Sequence, residues 1–320
     1  MNEPREIRQP GALRLGVDIG GTKLEAAAVD SAGAIRARRR AHTPRSYDAL
    51  LAALAELVAA VEAEAGPCAT IGAGHPGSLS PKNGLMRNAN SVWLNGKPLD
   101  RDLAAALGRP VRLANDADCF ALSEAADGAG AGLGVVFGVI LGTGVGGGVV
   151  IGGKLLTGAQ AIAGEWGHNP LPWPRPDELP GPDCWCGKRG CLEAWISGPG
   201  LAAAHARASG TALAPEAIAA AARVGGGAAR AALEDYADRL ARGLAVVINV
   251  LDPHAVVLGG GMSNIDGLCD ATAKRLPGYV FSDHVATRVV SHAHGDSSGV
   301  RGAAWLWSLV EARAAAVEAR

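Results

Sequence analysis

Three cysteines and a histidine stand at spacings that suit a tetrahedral metal: Cys184-Trp185-Cys186-Gly187-Lys188-Arg189-Gly190-Cys191, with His168 upstream. Zn²⁺ takes thiolate and imidazole in closed Cys₃His sites, which staple a loop without themselves doing chemistry. The alternative is a disulfide or redox pair, which a chain without secretory features disfavours. Glu165 and Glu193 flank the cluster. Ordering this loop would therefore also order two carboxylates and the His168 imidazole toward a shared space.

A second set of residues could hold phosphate. Asp18-Ile19-Gly20-Gly21-Thr22-Lys23, Gly142-Thr143-Gly144-Val145-Gly146-Gly147-Gly148 and Gly259-Gly260-Gly261-Met262 each follow a short apolar run. Consecutive backbone N–H groups in such turns converge on phosphate oxygens, and Thr22 and Thr143 add hydroxyl donors. Asp18, directly before the first turn, is placed to hold water or Mg²⁺ beside the phosphates. Hairpin turns needing positive φ would explain any one of these runs, but explain all three together poorly. Gly142-x-Gly144-x-x-Gly147 has the spelling of a dinucleotide fingerprint, yet the chain continues as a strand where that fingerprint needs a helix. Gly148 to Lys154 spaces its residues like a Walker loop, but Leu155 stands where Ser or Thr must bind Mg²⁺.

Asn115-Asp116-Ala117-Asp118 follows the apolar strand Val111 to Ala114, so its polar groups emerge at a strand's carboxyl end, where open α/β sheets place ligands. Asp116 is the candidate general base, since an alcohol attacking a phosphoryl group needs a carboxylate to orient it and take its proton. A helix cap is the competing role for Asn115 or Asp116, and neighbouring residues can fill both. His75, His254, His292 and His294 read as structural histidines, the seven tryptophans as packing residues, and Arg36, Arg38, Arg39 and Arg40 as a solvated strand face.

These groups need a frame that alternates strands and helices. Leu13 to Val17 and Leu24 to Val29 read as strands around the first turn. A helix follows from about Tyr47 to Glu64, a strand at Ala69 to Ala73, a helix at Leu99 to Leu107 and a strand at Val111 to Ala114. Val135 to Leu141, the second turn and Val149 to Ile151 repeat the plan about 120 residues later, which suggests an internal duplication. Alanine-rich helices fill much of Leu201 to Leu251, a strand covers Ala255 to Leu258, and a final helix runs from about Val300 to Glu318. The class is α/β.

The 320 residues are 48% hydrophobic and 19% charged, enough for a large core in two domains. A net charge of -1 without a basic stripe argues against nucleic acid and anionic membrane surfaces as partners. No apolar signal core or membrane span is legible, so a cytoplasmic protein is expected, with Cys68, Cys119 and Cys269 as free thiols.

Taken together, the first and second glycine motifs, Gly259 to Met262 and the Cys184 to Glu193 motif resemble the ROK group of sugar kinases and repressors, within the actin-like ATP-binding superfamily. Three segments are most similar to bacterial fructokinases: Asn88 to Asn95, Gly164 to Trp173 and His294 to Trp305. The resemblance implies an actin-like ATPase (ribonuclease H-like) fold, with two α/β domains around a nucleotide and sugar cleft. The smaller domain would span 1–118, with a helix over 300–320 packing back onto it, and the larger 119–299. It implies ATP-dependent phosphorylation of a hexose at its primary hydroxyl, fructose first, with glucose, mannose or N-acetylglucosamine as alternatives. Sugar contacts would be Asn90, Asn115, Asp116, Glu165, His168 and Glu193. Nucleotide contacts would be Asp18, Gly20, Gly21, Thr22, Lys23, Gly142, Thr143, Gly144, Gly259, Gly260 and Gly261, and zinc ligands His168, Cys184, Cys186 and Cys191. Homodimers are expected by the same likeness. A repressor would need a helix-turn-helix domain ahead of the first turn, and only 17 residues precede Asp18.

Overall fold

The computed structural model describes residues 12–318, so the first eleven residues of the expected smaller domain and positions 319 and 320 of the expected terminal helix lie outside the described residues. In chain order the strands are β1 (Arg14–Ile19), β2 (Lys23–Val29), β3 (Ile35–His42), β4 (Thr70–His75), β5 (Ser78–Leu79), β6 (Met86–Arg87), β7 (Val111–Asn115), β8 (Val135–Leu141), β9 (Val145–Ile151), β10 (Lys154–Leu155), β11 (Ala255–Gly259) and β12 (Arg288–Ser291). The α-helices are α1 (Tyr47–Ala65), α2 (Leu99–Leu107), α3 (Asp116–Asp127), α4 (Leu192–Ile196), α5 (Gly198–Ser209), α6 (Pro215–Arg223), α7 (Gly227–Leu251), α8 (Leu268–Ala273), α9 (Ser298–Trp305) and α10 (Leu309–Glu318). Among the described residues no helix is long and apolar enough to cross a membrane.

Two five-stranded sheets are built on one plan, in the orders β3-β2-β1-β4-β7 and β10-β9-β8-β11-β12. In each, a three-strand antiparallel meander is extended by two strands parallel to its first member. The duplication read from the glycine motifs is thus present in the topology. It places the turns β1–β2 and β8–β9 at equivalent points of the two sheets.

The chain divides into two compact units. The first takes the chain up to Cys119, Ala159–Ala161 and Ser297 onward, and the second takes Phe120–Gly158 and Ile162–Asp296. In the first, α1 turns Tyr47, Leu50, Leu54, Leu57, Val58 and Val61 inward at helical spacing, onto a core that includes Leu15, Val17 and Ile71. Each leucine so buried contributes about 1.5–3 kcal/mol. In the second, Tyr236, Leu240 and Leu244 of α7 meet Val139, Trp166 and Leu258.

Three local readings change. The final helix is two helices: Ser308 ends the run as a cap, its Oγ accepting from the Glu311 N–H (3.2 Å) while its own N–H donates to Glu311 Oε2 (2.9 Å). The arginines of β3 are not simply solvated, because Arg38 and Arg40 reach the buried Glu25 (3.3 and 2.7 Å) and Arg36 pairs with Asp30. Finally, β9 begins at Val145, so Gly146, Gly147 and Gly148 belong to a strand rather than to the phosphate turn.

Candidate functional site

In the first unit, parallel pairing aligns the carboxyl ends of β1, β4 and β7, with Asp18 opposite Gly74 and His75 opposite Asn115. Asp18, Asn115 and Asp116 therefore share one sheet edge. Asp116 opens α3, where the helix N-terminus favours a negative charge. The Ala117 N–H donates to Asp116 Oδ1 (2.8 Å) and to Asn115 Oδ1 (2.9 Å), while Asn115 Nδ2 donates to the Gly77 carbonyl (2.9 Å). Asn115 thus takes the cap role weighed for this motif, and the Asp116 carboxylate is exposed. Burial, then the charges of Asp116 and Glu25, push the Asp18 carboxyl up to about 7 against the opposing pull of Lys23. Such a carboxylate fits a divalent cation, whose charge would offset that repulsion.

The first turn is exposed at Gly21 and Thr22 and pinned behind. Gly20 N–H donates to the Lys23 carbonyl (3.0 Å), and Thr43 Oγ1 donates to the Gly20 carbonyl (2.8 Å). Lys23 reaches Glu25 at 3.3 Å. Asn90 is exposed on a loop that Asn95 clamps, its Oδ1 accepting from the Ala89 N–H (2.9 Å) and its Nδ2 donating to the Ala89 carbonyl (3.0 Å). Asn95 is a positioning residue that sequence reasoning missed. His75 is buried and donates through Nδ1 to the Pro76 carbonyl (3.1 Å); burial pulls its pKa down to about 4, so the ring is neutral.

In the second unit, Thr143 is exposed at the tip of the β8–β9 turn, and the Gly142 N–H donates to the Gly144 carbonyl (3.0 Å). The adjacent strand β11 ends in the third turn, where Ser263 Oγ donates to the Gly260 carbonyl (2.7 Å). A cavity of about 330 Å³ opens there, lined by Gly261, Met262, Asn264, Pro215, Ala219 and Arg223 among others. That volume suits a small organic ligand. Gly259 lies beneath the Phe120 ring and serves packing, whereas Gly261 faces the cavity.

The metal-ligand atoms of His168, Cys184, Cys186 and Cys191 all lie within 4.8 Å of one another. Cys184 Sγ is 3.7 Å from His168 Nδ1, and Cys186 Sγ is 3.6 Å from Cys191 Sγ. Bonds of about 2.3 Å to sulfur and 2.0–2.1 Å to nitrogen give tetrahedral edges of about this length, so the donors fit zinc in type and geometry. Burial and the neighbouring Cys186 and Cys184 push the Cys191 thiol up to about 12, a penalty that a bound cation reverses.

What carries His168 and Glu165 is a glycine face. Gly164, at φ +92°, lies so close to the backbone of Gly147 that neither position has room for a Cβ, and Trp166 Nε1 donates to the Gly146 carbonyl (3.1 Å). The glycines of β9 thus admit the 164–168 segment onto the strand. Glu165 is exposed, and its carbonyl accepts from the His168 N–H (3.3 Å). Glu193, in the first turn of α4, accepts from the Val145 N–H through Oε2 (2.9 Å) and from Trp185 Nε1 through Oε1 (2.6 Å).

The span between His168 and Cys184 is held by a buried carboxylate that no sequence motif marks. Glu178 accepts from Arg242 Nη1 and Nη2 (2.8 and 2.7 Å), Arg239 Nε (2.8 Å) and the Arg175 N–H (2.8 Å), while Arg242 also donates to the Trp173 carbonyl (2.9 Å). Its buried partners Arg239 and Arg242 lie 61 and 64 residues away, beyond any local signal.

Cys186→Ala is expected to deplete bound zinc, as read by elemental analysis, and to weaken on the order of tenfold any ligand that His168 and Glu193 hold. Full activity in a zinc-free preparation would separate the cluster from the site.

The ROK family model matches residues 14–309. The chain is 42% identical over 296 residues to the N-acetyl-D-glucosamine kinases of Shigella boydii serotype 4 and Escherichia coli O127:H6, covering 91% of this chain and 98% of each relative. Among solved structures it is similar to a ROK hexokinase from Thermus thermophilus, with TM-score 0.83, 32% identity, and coverage of 93% of this chain and 98% of that one. It is also similar to a ROK family glucokinase from Streptomyces griseus in complex with glucose and AMPPNP, with TM-score 0.75, 31% identity, and coverage of 92% and 98%.

Proposed function

Because the chain belongs to the ROK family and is a sugar kinase of it, with the actin-like ATPase fold of two α/β units, we propose that it phosphorylates N-acetyl-D-glucosamine from Mg·ATP at the primary hydroxyl. The observation that carries the chemistry is the pair of carboxylates on one sheet edge, Asp116 opening a helix and Asp18 repelled by it. The choice of sugar rests on the near full-length relatives named for it and replaces fructose as the first reading. Fructose is the second reading, favoured by the likeness of the Asn88 to Asn95, Gly164 to Trp173 and His294 to Trp305 segments to fructokinases.

Asp116 accepts the proton of the attacking hydroxyl. The sugar oxygen bonds to the γ-phosphorus as the bond to the bridging oxygen breaks, and ADP leaves. The transition state is loose and charge is spread over phosphoryl oxygens, so catalysis is mainly positioning and charge stabilisation. Mg²⁺, when bound, would neutralise the charge that develops on the phosphoryl oxygens. The chain's own part is distributed. Asp18 would hold the cation, and the first and second turns offer N–H groups with the hydroxyls of Thr22 and Thr143. The cavity beside Gly261 takes the adenosine. Asn90, Asn115, Glu165, His168 and Glu193 hold sugar hydroxyls, and zinc on the other ring nitrogen of His168 would keep that ring in place.

ADP release measured with N-acetylglucosamine, fructose, glucose and mannose tests this. N-acetylglucosamine is expected to lead in kcat/KM by about tenfold or more, the discrimination that shaped pockets reach. A lead for fructose would move the assignment to the second reading, and no turnover with any sugar would overturn the kinase reading of this chain.

A further inference from the structure

Trp185 differs from the tryptophans of the two cores in being exposed beside the candidate site. It sits between two of the candidate zinc ligands and is 69% exposed. Its Nε1–H donates to Glu193 Oε1 at 2.6 Å, and its ring stands edge-on to His168 at 5.0 Å between centroids and 84° between planes. The opposite oxygen of Glu193 is held by the Val145 N–H at the start of β9. Glu193 is therefore gripped from both sides, once by the glycine turn's strand and once by an exposed indole.

A carboxylate can accept about four hydrogen bonds. Cys184 Sγ also approaches Oε1 at 4.0 Å, but as a metal-bound thiolate it would donate nothing, which leaves Glu193 one lone pair per oxygen, an arrangement that matches two neighbouring hydroxyls of a hexose. Losing the indole donor frees the carboxylate to rotate about its last torsion, which is intrinsically broad. The same indole brings an apolar face beside the two side chains, against which a sugar held by them would lay its C–H edges.

We propose that Trp185 is a positioning residue that sets hexose affinity and selectivity: it anchors Glu193 Oε1 and supplies an apolar wall beside Glu193 and His168. This rests on the reading of Glu193 and His168 as sugar contacts. Trp185→Phe keeps a ring and removes the donor; Trp185→Ala removes both. In the full-length, zinc-loaded enzyme, Trp185→Phe is expected to raise the sugar KM about tenfold, the scale of losing a hydrogen bond to a charged acceptor, and to raise it more than it lowers kcat. The KM for ATP and the zinc content stay at wild-type values. Trp185→Ala is expected to weaken the sugar further and to narrow the spread of kcat/KM across the four sugars. Sugar-dependent change in tryptophan fluorescence, measured without ATP, is expected in the wild type and diminished in Trp185→Phe.

Equal sugar KM and an equal selectivity ranking in the two variants and the wild type would overturn the role of Trp185 while leaving the kinase reading in place. Loss of zinc in parallel with loss of sugar affinity in Trp185→Phe would overturn it too, since the side chain would then act only on loop stability. A wild type that turns over no sugar fails at the earlier step and is distinguished by that result.

Discussion

Asp116→Asn is expected to lower kcat by about 10²–10⁴-fold, the usual contribution of a positioned general base, while the sugar dissociation constant moves little. Asparagine keeps Oδ1, so the Ala117 N–H that donates to it at 2.8 Å, and to Asn115 Oδ1 at 2.9 Å, retains both acceptors. The opening of α3 is preserved and what disappears is basicity. Steady-state ADP release gives kcat, and calorimetric titration of the sugar without ATP gives binding. A variant that keeps kcat within a fewfold of wild type would remove Asp116 from its role. A second readout follows from electrostatics. Asp116 is, after burial, the largest cause of the raised Asp18 pKa, so neutralising it is expected to lower the Asp18 pKa in the ligand-free protein.

Glu178→Ala is expected to produce the largest loss of stability, about 3–5 kcal/mol, as when one partner of a buried ion pair is removed. The carboxylate is 2% exposed, and its partners Arg239 and Arg242 are 6% and 1% exposed, so two guanidinium groups would lose their counter-charge away from water. Denaturant unfolding measures the effect; a loss under about 1 kcal/mol would mean that Asp235 and Asp238 compensate. Burial raises the Glu178 pKa, but hydrogen bonds from Arg242, the Arg175 N–H and Arg239 outweigh it and hold the group well below the usual carboxylate range. The stabilisation is therefore present above the unfolded-state pKa of about 4.3 and is lost as pH falls toward the folded value. The gap in stability between wild type and Glu178→Gln is expected to narrow on acidification below about pH 4. Because Glu178 and Arg242 tie down the span between His168 and Cys184, Glu178→Ala is also expected to weaken zinc retention.

Much of this protein was legible where one local pattern carries one physical requirement. The inward face of α1 could be read because helical spacing puts Tyr47, Leu50, Leu54, Val58 and Val61 on one side. The metal cluster could be read because its ligand types and spacing are themselves the signal, and the donor atoms do converge. The break before α10 was also written locally, as Ser308 and Glu311 three residues apart, but the apolar run around them hid it. The choice among hexoses was not legible in this way. It depends on small differences in pocket shape, and here it turned on relatives named for N-acetylglucosamine rather than on any motif.

The sequence by itself determined the α/β class, the doubled strand-turn-strand plan, the family likeness and the residue types able to hold phosphate, a base and a metal. Each of these depends on neighbours within a few positions. Tertiary structure alone decided which glycines serve turns and which serve packing, since Gly147 needs its lack of a side chain because the Phe137 ring and the Gly164 carbonyl both lie against it. It decided that Arg38 and Arg40, while still open to solvent, reach a buried Glu25, that Glu178 gathers arginines from more than 60 residues away, and that Trp185 grips Glu193. Hydrogen bonds and close packing act over a few ångströms in space, and distance along the chain does not reveal which groups will come that near.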